Sequence, residues 1–174
     1  MAALVSGDQT AYAALITRHA DRFLSVATRL MGNQASAEDM VQDAFIKLLT
    51  RADKFNAEAG RFTTWFYRVV SNRCLDELRR KRPVALPEGY DKEDETAQTD
   101  ASLIERDKKE AVEGALNTLP ERQKLAITLC YFEELSNKEA AEVMDINIKA
   151  LESLLTRGRQ SMKNQLATQK SALL

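Results

Sequence analysis

Between Pro83 and Asp100 the chain reads PVALPEGYDKEDETAQTD, and the helical spacing of apolar residues seen on both sides stops here. Two of the three prolines stand in this stretch, with one basic and six acidic residues, a net of −5. Proline cannot continue a helix past its first turn, and a polar run with dense like charge buries too little to fold. The segment is therefore read as a flexible acidic tether. It divides the chain into two blocks, 1–82 and 101–174, each of which must close a core of its own. For 174 residues that means two small domains.

Composition narrows the class further. With 44% hydrophobic and 29% charged residues and six glycines, the chain is rich in helix formers. No apolar run approaches the ~20 residues of a membrane-spanning helix, so direct membrane insertion is not expected. The opening MAALVSGDQTAYAAL lacks a basic region followed by an unbroken apolar one, which argues against a cleaved signal and for a cytoplasmic protein. Cys74 and Cys130 lie far apart inside apolar helical patterns and are read as buried free thiols. One histidine, His19, with no close Cys/His spacing gives a zinc site no support, and no cofactor is expected.

Three helices fit the first block. The first runs from about Asp8 to Met31 and stops at Gly32-Asn33, a left-handed cap pair. The second begins after Ser36, with Ser36 and Asp39 in capping-box spacing, and carries Met40, Val41, Ala44, Phe45, Leu48 and Leu49 at helical intervals. The third is RFTTWFYRVVSNRCLDELRRKR, ended by Pro83. In the second block helix resumes near Ser102, with Glu105 in capping-box spacing. Pro120 opens another helix with Leu125, Leu129 and Phe132 on its apolar face. A short helix follows the Ser136/Glu139 box; a break at Asp145-Ile146-Asn147 leads into a last helix from Ile148 to about Ala167. No segment alternates as a strand does. The expected fold is all-α, two helical domains joined by the acidic linker.

The net charge of −1 hides an uneven distribution. Arg61 to Arg82 holds seven basic and two acidic residues, a net of +5 that the linker cancels. The proportions of LSNKEAAEVMDINIKALESLLTRGRQSMK are those of a helix-turn-helix, with small Ala140 and Ala141 where another helix must come close. At ~100° per residue Leu151, Leu155 and Met162 point one way, with Gly158 between them. Lys149, Glu152, Ser153, Thr156, Gln160 and Lys163 point the other way, with Arg157 and Arg159 on the flanks. The outward set is what a DNA major groove would meet. An ordinary helical hairpin in a bundle has the same pattern, and Glu152 would be repelled by phosphates.

Three stretches then carry a resemblance. AEDMVQDAFIKLL (Ala37–Leu49), FTTWFYRVVSNRCLDELRRKR (Phe62–Arg82) and LPERQKLAITLCYFEELSNKEAAEVM (Leu119–Met144), in that order across an acidic linker, resemble the extracytoplasmic-function sigma factors of bacteria. The resemblance covers both domains. It implies a non-enzymatic subunit that binds core RNA polymerase and reads promoter DNA, the −10 element with domain 1–82 and the −35 element with domain 101–174. Between them the linker, 83–100, would thread through the polymerase channels. A cognate anti-sigma factor is implied as a further partner, and no small-molecule substrate.

Residue roles follow from the same resemblance. Glu38, Asp39, Gln42 and Asp43 form an acidic edge that matches the core-binding edge, centred on Gln42 and Asp43; by spacing alone it is also a solvated face. In the third helix Phe62, Trp65, Phe66 and Val69 share a face, either core or a platform for unstacked bases, and Trp65 and Val69 are read as core. The loop Asn56 to Thr64 and Asn72 match the positions that hold a flipped −10 base. An amide that both donates and accepts can read a base edge. Arg61, Thr64, Arg68, Asn72, Arg73, Arg79 and Arg80 are the −10 candidates, with Lys81 and Arg82 beside them. Some of these cations could instead serve the helix dipole. Lys149, Ser153, Thr156, Arg157, Arg159 and Lys163 are the −35 candidates.

The chain departs from the family at two points. Ala150-Leu151-Glu152-Ser153-Leu154 replaces a Thr-Val-Lys-Ser-Arg-like run, which puts −35 affinity in question. Asp145 replaces the usual turn glycine, tolerable because Asp visits left-handed backbone more easily than most residues. Two rival readings remain: a sigma mimic that sequesters an anti-sigma factor without binding DNA, and a one-component helix-turn-helix repressor.

Overall fold

In the computed structural model, residues 6–52, 55, 60–81 and 100–172 are described, the last stretch without the side chains of 100–107 and 169–172. All regular structure among them is helical. In chain order it comprises α1 (Gln9–Met31), α2 (Gln34–Arg51), α3 (Phe62–Lys81), α4 (Asp100–Asn117), α5 (Glu121–Ile127), α6 (Asn137–Met144) and α7 (Ile148–Ala172). A π-helical turn, Thr128–Phe132, continues α5. Residues 83–99 of the expected tether 83–100 lie outside the described residues, and its last residue, Asp100, already begins α4, two residues before Ser102.

Local chemistry explains most boundaries. The Asp8 carboxylate accepts from the Thr10 N–H at 2.8 Å and starts α1. Gly32, at φ 75°, ends it by donating its N–H to the Thr28 carbonyl. Asn33 does not complete that cap. It sits in extended backbone and accepts from the Ser36 N–H at 2.8 Å, so α2 begins before Ser36 and the Ser36/Asp39 box does not form. An Asn immediately after the turn captures a free N–H sooner than a serine three residues on. Pro120 is likewise the residue before α5 rather than its first member. The Ser136/Glu139 capping box is present in both directions, and Asp145 takes the left-handed position at φ 55°.

The first three helices close around aromatic rings. Phe23 meets Phe66 at 4.7 Å edge-on and Phe45 meets Phe66 at 4.8 Å between centroids. Val26 and Leu30 of α1, Ala44 and Leu48 of α2 and Val70 and Cys74 of α3 complete this core. The face of α3 is turned from the expected one. Phe66, Tyr67, Val70 and Cys74 are fully buried, whereas Trp65 and Val69 are only partly covered. Two apolar stripes run along this helix, and spacing alone does not say which one meets α1 and α2. Trp65 packs at the edge, 5.6 Å from the Phe55 ring. Leu49 is also turned outward, 55% exposed beside Ile46 at 54%.

The same buried cluster continues into the second unit through Leu116 and Leu119, Leu125 and Leu129, Ala140, Ala141 and Val143, and Leu151 and Leu155, so the two expected cores merge into one. Gly158 sets the closeness of α7 to α5, because a Cβ there would lie 3.0 Å from Ile127 Cγ1. Burial pushes the Cys74 thiol up to about 12, as befits an inert core residue, and Cys130 is half-buried and free. The two helical units are in contact: α3 lies along α6, and α1 meets α4, α5 and the π-turn. No described helix is long and apolar enough to cross a membrane.

Candidate polymerase and nucleic-acid interfaces

Helix α2 presents Glu38, Asp39 and Gln42 to solvent, with Asp43 half-buried at the margin facing α3. Arg73 of α3 donates from Nε to Asp43 Oδ2 at 2.9 Å and from Nη1 to Glu77 Oε2 at 3.2 Å. Glu77 is almost wholly buried and also receives Arg80 at 2.8 Å and Lys81 at 3.6 Å. The hydrogen bond from Arg80, and then that from Arg73, outweighs burial and holds the Glu77 carboxyl down to about 2. Two of the expected phosphate-binding arginines are thus also organised by a carboxylate beneath them. On its other side α2 lines a groove of about 450 Å³ with Tyr12, Ile16 and Leu24 of α1, bordered by Gln42 and Ile46.

Along α3, Asn72 is exposed on the solvent side, and Arg79 pairs with Asp76 at 3.3 Å in the open. Thr64 is buried, 5% exposed, in this arrangement. Arg61 and Arg68 reach across to the second unit: Arg61 lies 3.7 Å from Glu139, and Arg68 lies 3.0 Å from Asp145. Residues 56–59 and Arg82 lie outside the described residues.

The helix-turn-helix orients α7 as its spacing predicts. Leu151, Leu155 and Gly158 face inward, whereas Lys149, Ser153, Thr156, Arg157, Arg159 and Lys163 are all exposed. Asn147 accepts from the Ala150 N–H at 2.8 Å and so starts the helix with its exposed face set. Leu154 is half-buried against the core, so its departure from the family's basic residue serves packing. Glu152 is exposed on the outward face.

Spacing alone misses one constellation. The Tyr67 hydroxyl donates to Glu133 Oε2 at 2.5 Å, and Arg22 donates to the same oxygen at 2.9 Å and to the Glu133 carbonyl at 3.0 Å. The Arg22 guanidinium also stands 5.6 Å from the Tyr67 ring centre. Burial, reinforced by the Glu133 carboxylate, pushes the Tyr67 hydroxyl well above its ordinary range. The π-turn sets this geometry, since its extra residue brings Glu133 N–H back to the Thr128 carbonyl and points the side chain at α1 and α3. Beside it the Arg29 guanidinium lies 4.2 Å from the Phe132 ring centre. No periodic pattern links residues 66 and 111 positions apart.

Residues 15–84 match Sigma-70 region 2 and residues 109–162 match Sigma-70 region 4. The chain is 34% identical to the ECF RNA polymerase sigma factor SigE of Mycolicibacterium smegmatis over 95% of this chain and 66% of that one, so it spans about two thirds of that relative. It is 28% identical to the ECF RNA polymerase sigma factor SigW of Bacillus subtilis over 92% of this chain and 91% of that one. Its fold is similar to that of CnrH, solved in complex with the cytosolic domain of CnrY, with a TM-score of 0.72 and 24% identity over 96% of this chain and 94% of that one. With region 2 on the three-helix unit and region 4 on the helix-turn-helix, the chain belongs to the extracytoplasmic-function group of RNA polymerase sigma factors.

Proposed function

We propose that this chain is a non-catalytic specificity subunit that binds core RNA polymerase in the cytoplasm and directs initiation from particular promoters. The observation that carries the reading is the presence of both matched regions, each with a polar face exposed on a packed helical support. Domain 1–82 takes core binding and the −10 element, domain 101–174 takes the −35 element, and 83–100 links them. Glu38, Asp39, Gln42 and Asp43 dock on the polymerase, and the groove bordered by Gln42 and Ile46 adds apolar area to that edge. Asn72 reads a base of the melted −10 strand by pairing its amide with a base edge, while the cations of α3 neutralise phosphates. Lys149, Ser153, Thr156, Arg157, Arg159 and Lys163 meet the −35 duplex. A cognate anti-sigma factor is the expected regulator.

Run-off transcription with purified core polymerase tests this. A sigma factor gives a transcript from a defined start; a sigma mimic or a repressor gives no specific transcript, and that result would sink the assignment.

A further inference from the structure

Helix α7 carries one outward residue that phosphate binding does not explain. Glu152 is exposed in its second turn, on the same face as the exposed Lys149, Ser153 and Thr156. Its carboxylate has no partner among the described residues. The helix dipole does not account for it, because that effect fades within the first turn. Neither does the core, which Leu151 and Leu155 meet from the opposite face. In a helix-turn-helix, the early turns of the second helix are the part that comes nearest to base edges.

A carboxylate placed there is repelled by every phosphate, and when ionised it only accepts hydrogen bonds. The major groove offers it two donors, the N4 amino group of cytosine and the N6 amino group of adenine. Adenine sets its N7 lone pair beside that amino group, against the second carboxylate oxygen. Cytosine sets only a C5–H there, so the chemistry favours cytosine. The surroundings suit such a contact. Glu152 lines an open depression of about 420 Å³ with Leu155, Thr156, Arg159, Tyr131 and Asn137. Tyr131, on the π-turn, is 52% exposed and brings a neutral hydroxyl to the rim. Asn137, at the start of α6, turns its carbonyl oxygen toward the Cys130 thiol at 4.0 Å, which leaves its amide N–H groups to donate. Both can hold a backbone oxygen near the carboxylate, and Arg159, two turns on from Glu152, can pair with a phosphate beyond it.

We propose that Glu152 is a specificity-determining residue of the −35 contact, accepting a hydrogen bond from the N4 amino group of a cytosine at one fixed position of the duplex. The proposal rests on the −35 reading of α7. Glu152 lowers general affinity for DNA and raises discrimination. At any other base the carboxylate loses water and gains no donor, so a missing cytosine costs more than the lost bond alone. A cation at the same place would bind phosphate, or guanine through O6 and N7, and would not select cytosine.

The test uses holoenzyme assembled from core polymerase and the full chain, with a pool of duplex promoters randomised through the −10 and −35 regions. Templates retained by the holoenzyme are sequenced for the parent, Glu152→Gln and Glu152→Lys, both made at an exposed position that leaves the core untouched. The expected result for the parent is a −35 block with cytosine enriched roughly tenfold at one position, the scale of one good base contact. Glu152→Gln should move that position to adenine, which an amide pairs through N6 and N7, and Glu152→Lys should move it to guanine. The other −35 positions should keep their preferences. A parent block without a required cytosine overturns the proposal. So does a cytosine that persists in both variants, or a general rise in retention with every preference unchanged, which would make Glu152 a phosphate-repelling residue only. A parent that enriches no −35 block at all overturns the −35 reading itself, and the proposal with it.

Discussion

Arg73 bridges two helices by placing both Nε and a terminal nitrogen 2.9 Å from Asp43 Oδ2, while its other terminal nitrogen rests 3.2 Å from Glu77. One end of this bridge lies on the edge proposed for polymerase docking and the other on the helix proposed for promoter reading. The two functions therefore share a structural element. Arg73 is 21% exposed, so its guanidinium is partly spent on holding α2 to α3.

The pair should be energetically coupled. Asp43→Ala and Arg73→Ala are expected to be non-additive in a double-mutant cycle by about 0.5–1 kcal/mol in urea unfolding, as for contacting residues in one network. Strict additivity would show that the bridge contributes nothing in solution.

Glu77 makes the fold acid-sensitive. Its carboxyl is held down to about 2 in the folded chain against 4.5 ordinarily, chiefly by Arg80. The folded state therefore binds fewer protons, and the stabilisation is fully present above about pH 5 and lost as pH falls through 4.5 toward 2. Glu77→Gln should flatten thermal stability against pH across that window. An unaltered slope would assign the acid sensitivity to other carboxylates.

Asn72 is exposed in the middle of α3 and makes no demand on the core. Asn72→Ala should leave thermal stability within ~0.5 kcal/mol of the parent, as for a surface substitution. In run-off transcription it should lose promoter preference while still co-purifying with core polymerase. Unchanged preference would remove Asn72 from base reading.

Gly158 should not tolerate a methyl group. Its Cβ would lie 3.0 Å from Ile127 Cγ1, and Ile127, 3% exposed, is enclosed by the core and has little room to give way. Gly158→Ala is expected to destabilise by about 1–3 kcal/mol despite alanine's better helix propensity, since overpacking outweighs the ~1 kcal/mol gain. A variant as stable as the parent in urea would mean that Ile127 adjusts freely.

The sequence alone determined the helices, the Gly32 and Ser136 caps and the exposed face of α7, because these follow from contacts within a turn or two of chain, and its long motifs carried the family. The buried stripe of α3 was legible only as apolar, since Phe62–Trp65–Val69 and Phe66–Val70–Cys74 both recur at helical intervals of three or four. The cap of α2 also escaped, as Asn33 competes with Ser36 over three residues. What tertiary structure decided were the pairings: Arg73 with Asp43, Tyr67 and Arg22 with Glu133, Arg68 with Asp145. Those depend on how whole helices pack, and each joins residues at least 30 positions apart. A carboxylate reads as solvated in a sequence until the fold places a guanidinium beside it.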